Sequence, residues 1–200
     1  MDITSKASSY VRRLPIGERV PIDPVIDDEL FPFEGEIFVK ALDPPTIPEP
    51  PRRGEPGGDP CAICGAADES VVWENSRWQV RVALEPHSLP MVVLLEPKAH
   101  HDLDDLPPEL VHELGPMIQR ISRAIGRIEG IGRVHVNRWG DGSEHFHLWF
   151  LARPYGMWQM RGAMLAVWDD LLPRVPPEEW ASNRRAVATA LAEGDGPSAD

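Results

Sequence analysis

Two histidines, His145 and His147, are the residues with the clearest potential for chemistry. The residues around them alternate between hydrophobic and other types, which predicts a strand with both imidazoles and Trp149 on one face. Two imidazoles at this spacing point the same way and lie roughly 6–7 Å apart. The preceding run 140–143, Gly-Asp-Gly-Ser, predicts a tight turn whose N–H groups and hydroxyl suit an anion. This combination indicates chemistry on a phosphate.

The elements that must position these histidines follow an α+β pattern. Segments 71–82, 87–95 and 133–138 are apolar or alternating, as expected of strands, and the histidine strand is expected to end at Pro154. A long helix is predicted to begin in the acidic, proline-containing sequence 104–109. Its apolar stripe is expected to pack on the sheet and consists of Leu110, Leu114, Met117, Ile118, Ile121, Ile125 and Ile128.

The flanking segments differ in composition from this central part. Prolines throughout 1–59 predict an extended arm, in which 35–40 alternates well enough for an edge strand. Residues 157–171 follow helical spacing, and their methionine–tryptophan stripe is more typical of a core than of a substrate lid. A last helix is predicted near 178–193.

The predicted organisation has four parts. They are a proline-rich arm at 1–59, a central domain at 60–156, a helical extension at 157–193 and a loose tail at 194–200. Two hundred residues are enough for one sizeable core with such appendages.

Charge and composition limit the classes of partner. A net charge of −12 argues against a general nucleic-acid binder, which needs basic surface to neutralise phosphates. Two cysteines, three positions apart, are too few for a disulfide scaffold. The chain contains no apolar run near the ~20 residues that span a bilayer, and its first residues have no signal-peptide core. We therefore expect a cytoplasmic protein without a membrane or nucleic-acid partner.

The run His145-Phe-His-Leu-Trp-Phe-Leu resembles the motif of the histidine-triad superfamily, His-φ-His-φ-His-φ-φ, in which φ is hydrophobic. Upstream, Leu95-Glu-Pro-Lys-Ala-His100 resembles the strand end that precedes this family's long helix. The resemblance covers residues 60–154 and implies a five-stranded, mainly antiparallel sheet with one long helix packed on it. It departs at Trp149, where the family has its third histidine. The galactose-1-phosphate uridylyltransferase branch also lacks that histidine, and it carries a Cys-x-x-Cys zinc pair.

The resemblance also implies a structural zinc ion. In zinc-containing relatives the ligands are a Cys-x-x-Cys pair, a histidine after the strand end and the first histidine of the triad. Cys61, Cys64, His100 and His145 occupy these positions, and His101 is the rival for the third place. Four protein ligands close the coordination sphere, so the metal would stabilise the fold rather than activate water. Without metal, the cysteines would be a free dithiol or two small buried residues.

His147 is the predicted nucleophile. A neutral imidazole nitrogen can attack phosphorus at neutral pH and form a covalent phosphoramidate. The resemblance implies attack on the α-phosphate of a nucleotide, with the second ring nitrogen held by the carbonyl of His145. It also places Asn137 and Ser143 near phosphate oxygens, and Trp149 would line the substrate site. Two arginines, at positions 138 and 153, are either further phosphate contacts or ordinary surface residues.

The predicted function is that of a nucleotide hydrolase or nucleotidyltransferase that cleaves a phosphoanhydride through a nucleotidyl adduct on His147. The substrate would be a dinucleoside polyphosphate, a nucleoside polyphosphate or a nucleotide-sugar. One alternative is a nucleotide-binding module that lost turnover together with the third histidine. Another is a structural zinc protein whose histidines serve only as ligands. A homodimer is a further expectation, because members of the family commonly dimerise.

Overall fold

The structure is a computed structural model of the chain. It describes residues 43–64 and 68–194, together with the single positions 17, 31, 33, 37 and 41. The predicted edge strand at 35–40 falls, apart from Ile37, outside the described residues.

Two compact units divide the chain, Met1–Pro51 and Arg52–Asp200. In the first unit, the rings of Phe31 and Phe33 meet edge to face with their centroids 5.3 Å apart. The second unit contains all the helices and strands within the described ranges. It begins at Arg52, so this unit includes residues 52–59 of the predicted arm.

A five-stranded sheet forms the centre of the second unit. The strand order is β1-β2-β3-β5-β4, and every neighbouring pair is antiparallel. The strands are β1 Val71–Glu74, β2 Trp78–Arg81, β3 Val92–Pro97, β4 Ile131–Asn137 and β5 Leu148–Pro154. The predicted α+β class and the antiparallel sheet are therefore confirmed.

The segment 71–82 forms a hairpin rather than the single strand that its composition predicted. The side-chain oxygen of Asn75 accepts the backbone N–H groups of Arg77 and Trp78, at 2.8 and 2.7 Å. An asparagine that bonds the backbone two and three residues ahead closes a turn. The strand therefore reverses at Asn75, and this hairpin supplies β1 and β2.

Three α-helices accompany the sheet. They are α1 Pro108–Ile125, α2 Met164–Leu171 and α3 Pro177–Glu193. Proline occupies the first position of both α1 and α3, where the missing N–H costs no helical hydrogen bond. The buried residues of α1 repeat at helical spacing and are Leu110, Met117, Ile121, Ala124 and Ile125.

Helix α1 covers one face of the sheet. The indole N–H of Trp78 on β2 donates to the carboxylate of Glu113 on α1 at 2.9 Å, which shows which face the helix occupies. Val80 and Leu95 share that face through their register, and both are fully buried. The opposite face of the sheet carries the polar side chains of the candidate site.

The helix predicted over 157–171 is shorter in the structure and begins only at Met164. Gly156 and Gly162 both have positive φ, 79° and 65°, which a continuous right-handed helix does not allow. Met157 is consequently 47% exposed, whereas Met160 is buried in the core. The core prediction for this stripe is therefore correct for only part of it.

The last helix closes one end of the core. Trp180 of α3 is 1% exposed, and its indole N–H donates to the carbonyl of Ala83 at 3.0 Å. Asn183, on the same helix, donates to the carbonyl of Pro90 at 2.9 Å. Helix α3 thus holds the connection between β2 and β3. Among the described helices, none combines the length and apolar character needed to cross a membrane.

We predict that Trp180→Ala destabilises the fold strongly. Removing a fully buried tryptophan loses its packing and orphans the carbonyl of Ala83, at a typical cost of about 3–5 kcal/mol. The free energy of unfolding from urea titration measures this. Trp158→Ala is the matched control, because Trp158 is 65% exposed, with the guanidinium of Arg161 lying over its ring. We expect a change below about 1 kcal/mol for the control, and equal losses in the two variants would contradict the assignment.

Candidate active site and metal centre

Four side chains meet in a Cys₂His₂ cluster. The ligand atoms of Cys61, Cys64, His100 and His145 all lie within 4.8 Å of one another. The Sγ atoms of both cysteines are 3.4 Å from Nδ1 of His145, and Cys64 Sγ is also 3.4 Å from Nδ1 of His100. All four residues of the predicted ligand set are therefore brought together.

Hydrogen bonds on the far side of each ring determine which nitrogen faces the cluster. Nε2 of His145 donates to the carbonyl of Pro97 at 2.9 Å, and Nε2 of His100 donates to the carboxylate of Glu144 at 3.1 Å. With the proton on Nε2, the Nδ1 lone pair of each ring points at the two sulfur atoms. Burial lowers the pKa of His145, which favours the neutral, ligating form.

The donor set and its spacing fit zinc. In a tetrahedral site with ordinary Zn–S and Zn–N bonds, a sulfur and a nitrogen ligand are roughly 3.5 Å apart, close to the 3.4 Å separations here. Burial raises the pKa of Cys64 to about 11, and hydrogen bonding to Cys61 adds to this. Burial opposes ionisation of Cys61 too, but hydrogen bonds from Cys64 and Ile63 outweigh it and lower the Cys61 pKa. A divalent cation would let both thiols ionise, which supports the predicted zinc cofactor.

The two candidates for the third ligand are separated by the structure. His100 lies in the cluster, whereas Nδ1 of His101 lies 3.7 Å from the carboxylate of Asp105 on the outside. The backbone of His101 accepts the N–H of Phe146 at 2.6 Å. Gly54 packs against the ring of His100 so closely that a Cβ there would lie 2.8 Å from Cε1. Gly54 also has a φ of 98°, in the left-handed region that favours glycine. Both the close contact and the backbone conformation therefore require glycine at this position.

His147 follows the cluster residue His145 by two positions and is 8% exposed. Its Nδ1 donates to the carbonyl of His145 at 2.8 Å, so Nε2 carries the lone pair. No described residue hydrogen-bonds to Nε2. The histidines precede the paired part of β5, which begins at Leu148 rather than at His145 as the alternation predicted. Continuing the β3–β5 register by one position places Glu96 opposite His147.

The glycine-rich turn before the histidines is held by Arg138 and by two residues that the sequence did not single out, Arg52 and Asp102. Arg52 donates to the carbonyl of Gly140 at 3.0 Å and forms an ion pair of 2.8 Å with Asp102. Arg138 pairs with the same carboxylate and lies against Gly140. Burial opposes ionisation of Asp102, but the N–H of Leu103 and the two arginines outweigh it and lower its pKa.

The remaining predicted contacts differ in their positions and in their partners. The hydroxyl oxygen of Ser143 is buried and has no hydrogen-bond partner in the described part of the chain. Asn137 ends β4 and is paired with Trp149 of β5, so both lie on the same face of the sheet. The ring centroids of Trp149 and His147 are 6.3 Å apart. Arg153 is buried and donates to the carbonyls of Pro154 and Met157, at 3.0 and 3.1 Å.

His87, the first residue of the predicted strand segment 87–95, has a partner in the C-terminal extension. Its Nδ1 lies 2.8 Å from the carboxylate of Asp169 on α2. The other carboxylate oxygen accepts the N–H groups of Ser88 and Leu89, each at 2.9 Å. These bonds engage the N–H groups of residues 88 and 89, and β3 begins at Val92.

Comparison with known proteins identifies the fold of the chain. No protein-family model matches the chain, and no curated protein matches its sequence. Among solved structures, a hypothetical histidine triad nucleotide-binding protein from Sulfolobus tokodaii strain 7 superposes with a TM-score of 0.50 at 15% identity. The match covers 66% of this chain and 93% of that one. The chain therefore has the histidine-triad fold, which confirms at the level of the fold the resemblance carried by residues 60–154.

Two further structures are similar to this chain. One is a zinc-bound histidine triad family protein from Mycobacterium smegmatis, with 26% identity, a TM-score of 0.44 and coverage of 66% of this chain and 91% of that one. The other is a uridylyltransferase, with 23% identity, a TM-score of 0.44 and coverage of 64% and 44%.

We predict about one zinc ion per chain, lost together with folding stability in Cys61→Ser and in His145→Ala. The four ligands contribute directly to folding when the metal is bound, so removing one should lower the unfolding midpoint as well as the metal content. Elemental analysis of protein purified without chelators measures the first quantity, and thermal unfolding measures the second.

His101→Ala is the matched control for the metal prediction. It removes the neighbouring imidazole, which lies outside the cluster, and should retain zinc, whereas His100→Ala should release it. The opposite result would assign the third ligand to His101. Absence of zinc from the unmodified protein would contradict the site itself.

Proposed function

We propose that the chain is a nucleotide hydrolase or nucleotidyltransferase that cleaves a phosphoanhydride through a covalent adduct on His147. The observation that carries this proposal is the hydrogen bond from Nδ1 of His147 to the carbonyl of His145. It leaves an Nε2 lone pair without a partner among the described residues. An imidazole oriented in this way is suited to attack on phosphorus. The hydroxyl of Ser143, four residues earlier in the chain, is also without a hydrogen-bond partner in the described part of the chain.

The proposed reaction has two displacements. Nε2 of His147 attacks the α-phosphorus, forming an N–P bond, and the bridging oxygen leaves with the electrons of its bond to phosphorus. Water or an acceptor hydroxyl then attacks the same phosphorus, the N–P bond breaks, and its electrons return to Nε2. The attacking oxygen loses its proton to solvent. The carbonyl of His145 stabilises the positive charge that the ring carries in the adduct.

The proposal assigns contacts to the transferred phosphate according to which side chains are not engaged by another partner among the described residues. Ser143 offers a hydroxyl without a partner, and Asn137 lies on the same sheet face as Trp149. Arg138 is committed to Asp102, and Arg153 to two backbone carbonyls. Ser143 and Asn137 are therefore the primary phosphate contacts of the proposal, and the arginines support the surrounding backbone. Zinc in the Cys₂His₂ cluster takes no part in the displacements.

Trp149 determines which leaving groups are accessible. An indole can donate its N–H in a hydrogen bond but cannot transfer the proton, unlike a histidine at the same position. General acid help contributes typically ~10²–10⁴-fold, and it matters most when the leaving group is a strong base. A departing phosphate or pyrophosphate is a weak base and does not require it, whereas an amine does. The proposed substrates are therefore dinucleoside polyphosphates, nucleoside polyphosphates or nucleotide-sugars.

A binding module without turnover is the second candidate, and Trp149 in the third position is the observation that favours it. The two candidates can be distinguished by whether a covalent adduct forms on His147. The enzyme forms a nucleotidyl adduct on His147, which raises the intact mass by one nucleotidyl group, whereas the binding module has affinity for nucleotides without any adduct.

We predict that His147→Gly abolishes turnover of dinucleoside polyphosphates while nucleotide binding remains measurable. Loss of a covalent nucleophile lowers the rate by several orders of magnitude, but Ser143 and Asn137 still contact phosphate. Steady-state hydrolysis and calorimetric titration with nucleoside monophosphates measure the two effects. His112→Ala changes an exposed histidine of α1 and serves as the control with unchanged rate. Equal rates in His147→Gly and the parent would place the chemistry elsewhere.

A second prediction concerns the leaving group. The parent should cleave phosphoanhydrides much faster than nucleoside phosphoramidates, and Trp149→His should raise the phosphoramidate rate by up to about 10²-fold relative to the anhydride rate. The ratio of kcat/KM for the two substrate classes is the measurement. A parent that already prefers phosphoramidates would show that no general acid is missing.

A further inference from the structure

A row of side chains crosses the sheet next to His147, on the face opposite α1. Arg81 of β2 pairs with Leu94 of β3, and Leu94 pairs with Trp149 of β5. Paired residues of antiparallel strands lie on the same side of the sheet, so all three side chains share the face of His147. Two strand spacings separate Arg81 from Trp149, roughly 10 Å. A nucleoside joined to a phosphate at His147 can span this distance.

The row borders a cavity of about 240 Å³. Its wall includes Trp149, Leu94 and Val92, together with the polar side chains of Arg81 and His87. Sites that enclose a whole drug-sized ligand measure about 300–1,000 Å³. A smaller, mainly apolar cavity with an indole in its wall is suited to one planar ring system, such as a nucleobase, rather than to a whole nucleotide.

Arg81 is held in this wall by an unusual buried anchor. Glu96 is fully buried, and one of its oxygens lies 2.8 Å from Nε of Arg81. The other oxygen accepts a hydrogen bond from Nη2 of Arg81 at 3.2 Å, and Gln79 donates to the first oxygen at 2.9 Å. Glu96 lies within the run 95–100 noted in the sequence, but neither the zinc cluster nor the proposed displacements give a role to Arg81, Glu96 or Gln79. Burying a charged pair is rarely better for stability than packing apolar residues of similar size, so the anchor is better explained by what it positions.

The contacts with Glu96 leave Arg81 with a further N–H donor group at the wall of the cavity. Nη1 of Arg81 has no partner among the residues that the structure describes. Both oxygens of Glu96 are already engaged by Arg81 and Gln79. A guanidinium has no acceptor. A base edge that faces Arg81 must therefore present an acceptor, and a base that places an amino group there leaves two donors facing each other.

We propose that Arg81, positioned by Glu96 and Gln79, selects guanine or uracil, whose O6 or O4 carbonyl stands where adenine and cytosine carry an amino group. Guanine presents O6 and N7 as acceptors, the pair that arginine commonly binds, whereas adenine and cytosine carry amino donors at the corresponding edge. This inference rests on the proposed function, because it identifies the base end of the substrate attacked by His147.

The test uses His147→Gly, which binds without turnover, in its zinc-loaded form. Calorimetric titration gives the dissociation constants of GMP, UMP, AMP and CMP. We expect GMP and UMP to bind roughly ten- to a hundred-fold more tightly than AMP and CMP, the range of one hydrogen bond to a charged donor. Adding Arg81→Lys, which keeps the charge but loses the planar fork, should reduce this ratio to about threefold or less.

Two further variants distinguish selection from a structural role. Arg123→Lys changes an exposed arginine of α1 and should leave the ratio unchanged. The double variant Arg81→Met with Glu96→Met replaces the ion pair by apolar side chains of similar size, so no unpaired charge is buried. We expect it to fold and to bind all four nucleotides within about threefold of one another. A purely structural role of Arg81 would weaken all four equally and preserve the ratio.

Three outcomes would overturn the inference. They are equal binding of all four nucleotides before any change at Arg81, a preference for AMP or CMP, and a preference that survives in both Arg81 variants. Turnover of dinucleoside polyphosphates by the parent is measured as well. It distinguishes failure of the base selection from failure of the proposed function. Equal rates on all four bases overturn base selection alone, whereas no binding and no turnover on any of them overturn both.

Discussion

Two backbone carbonyls determine what the histidines of this protein can do. The carbonyl of Pro97 accepts a hydrogen bond from Nε2 of His145, and the carbonyl of His145 accepts one from Nδ1 of His147. The two rings are therefore protonated on opposite nitrogens, one presenting Nδ1 to the thiols and the other presenting Nε2 to the open face. His145 belongs to both arrangements, because its ring is a ligand of the cluster and its carbonyl orients the next histidine. Displacing this one residue would disturb the Cys₂His₂ cluster and the orientation of His147 together.

The surroundings of these histidines are made mostly by loops. Arg52 and Arg138 share the carboxylate of Asp102, and through it the glycine-rich turn is tied to residues that precede the zinc cysteines. Backbone hydrogen bonds reinforce this connection, since the N–H of Glu144 donates to the carbonyl of Arg53 at 3.0 Å. The segment after Pro51 therefore forms part of the wall of the site, although its composition is that of a linker.

How far the sequence predicts the structure depends on the range of the interaction involved. Alternation around His147, the apolar stripe of α1 and the prolines at the helix starts are local signals, and they predicted the sheet, the long helix and the strand β5 that follows the histidines. The turn at Asn75 and the break at Gly162 were local too, but their apolar neighbours masked them. Arg81 with Glu96, and Arg52 with Asp102, are separated by 15 and 50 positions in the chain. No spacing rule predicts such pairs, because their register is decided by which strands and loops become neighbours in the folded sheet.

The three positions 145, 147 and 149 are alternate residues of one extended segment, and this makes the site sensitive to insertions and deletions in a way that substitutions do not reveal. Inserting one residue between His147 and Leu148, with β5 unchanged from Leu148 onwards, would exchange the inward and outward faces of the residues before it. Phe146 would then face the thiols, and both histidines would leave their places in one event. Inserting two residues preserves the faces but moves His145 away from the carbonyl of Pro97. The length of this short segment is therefore constrained as tightly as the identity of the histidines within it.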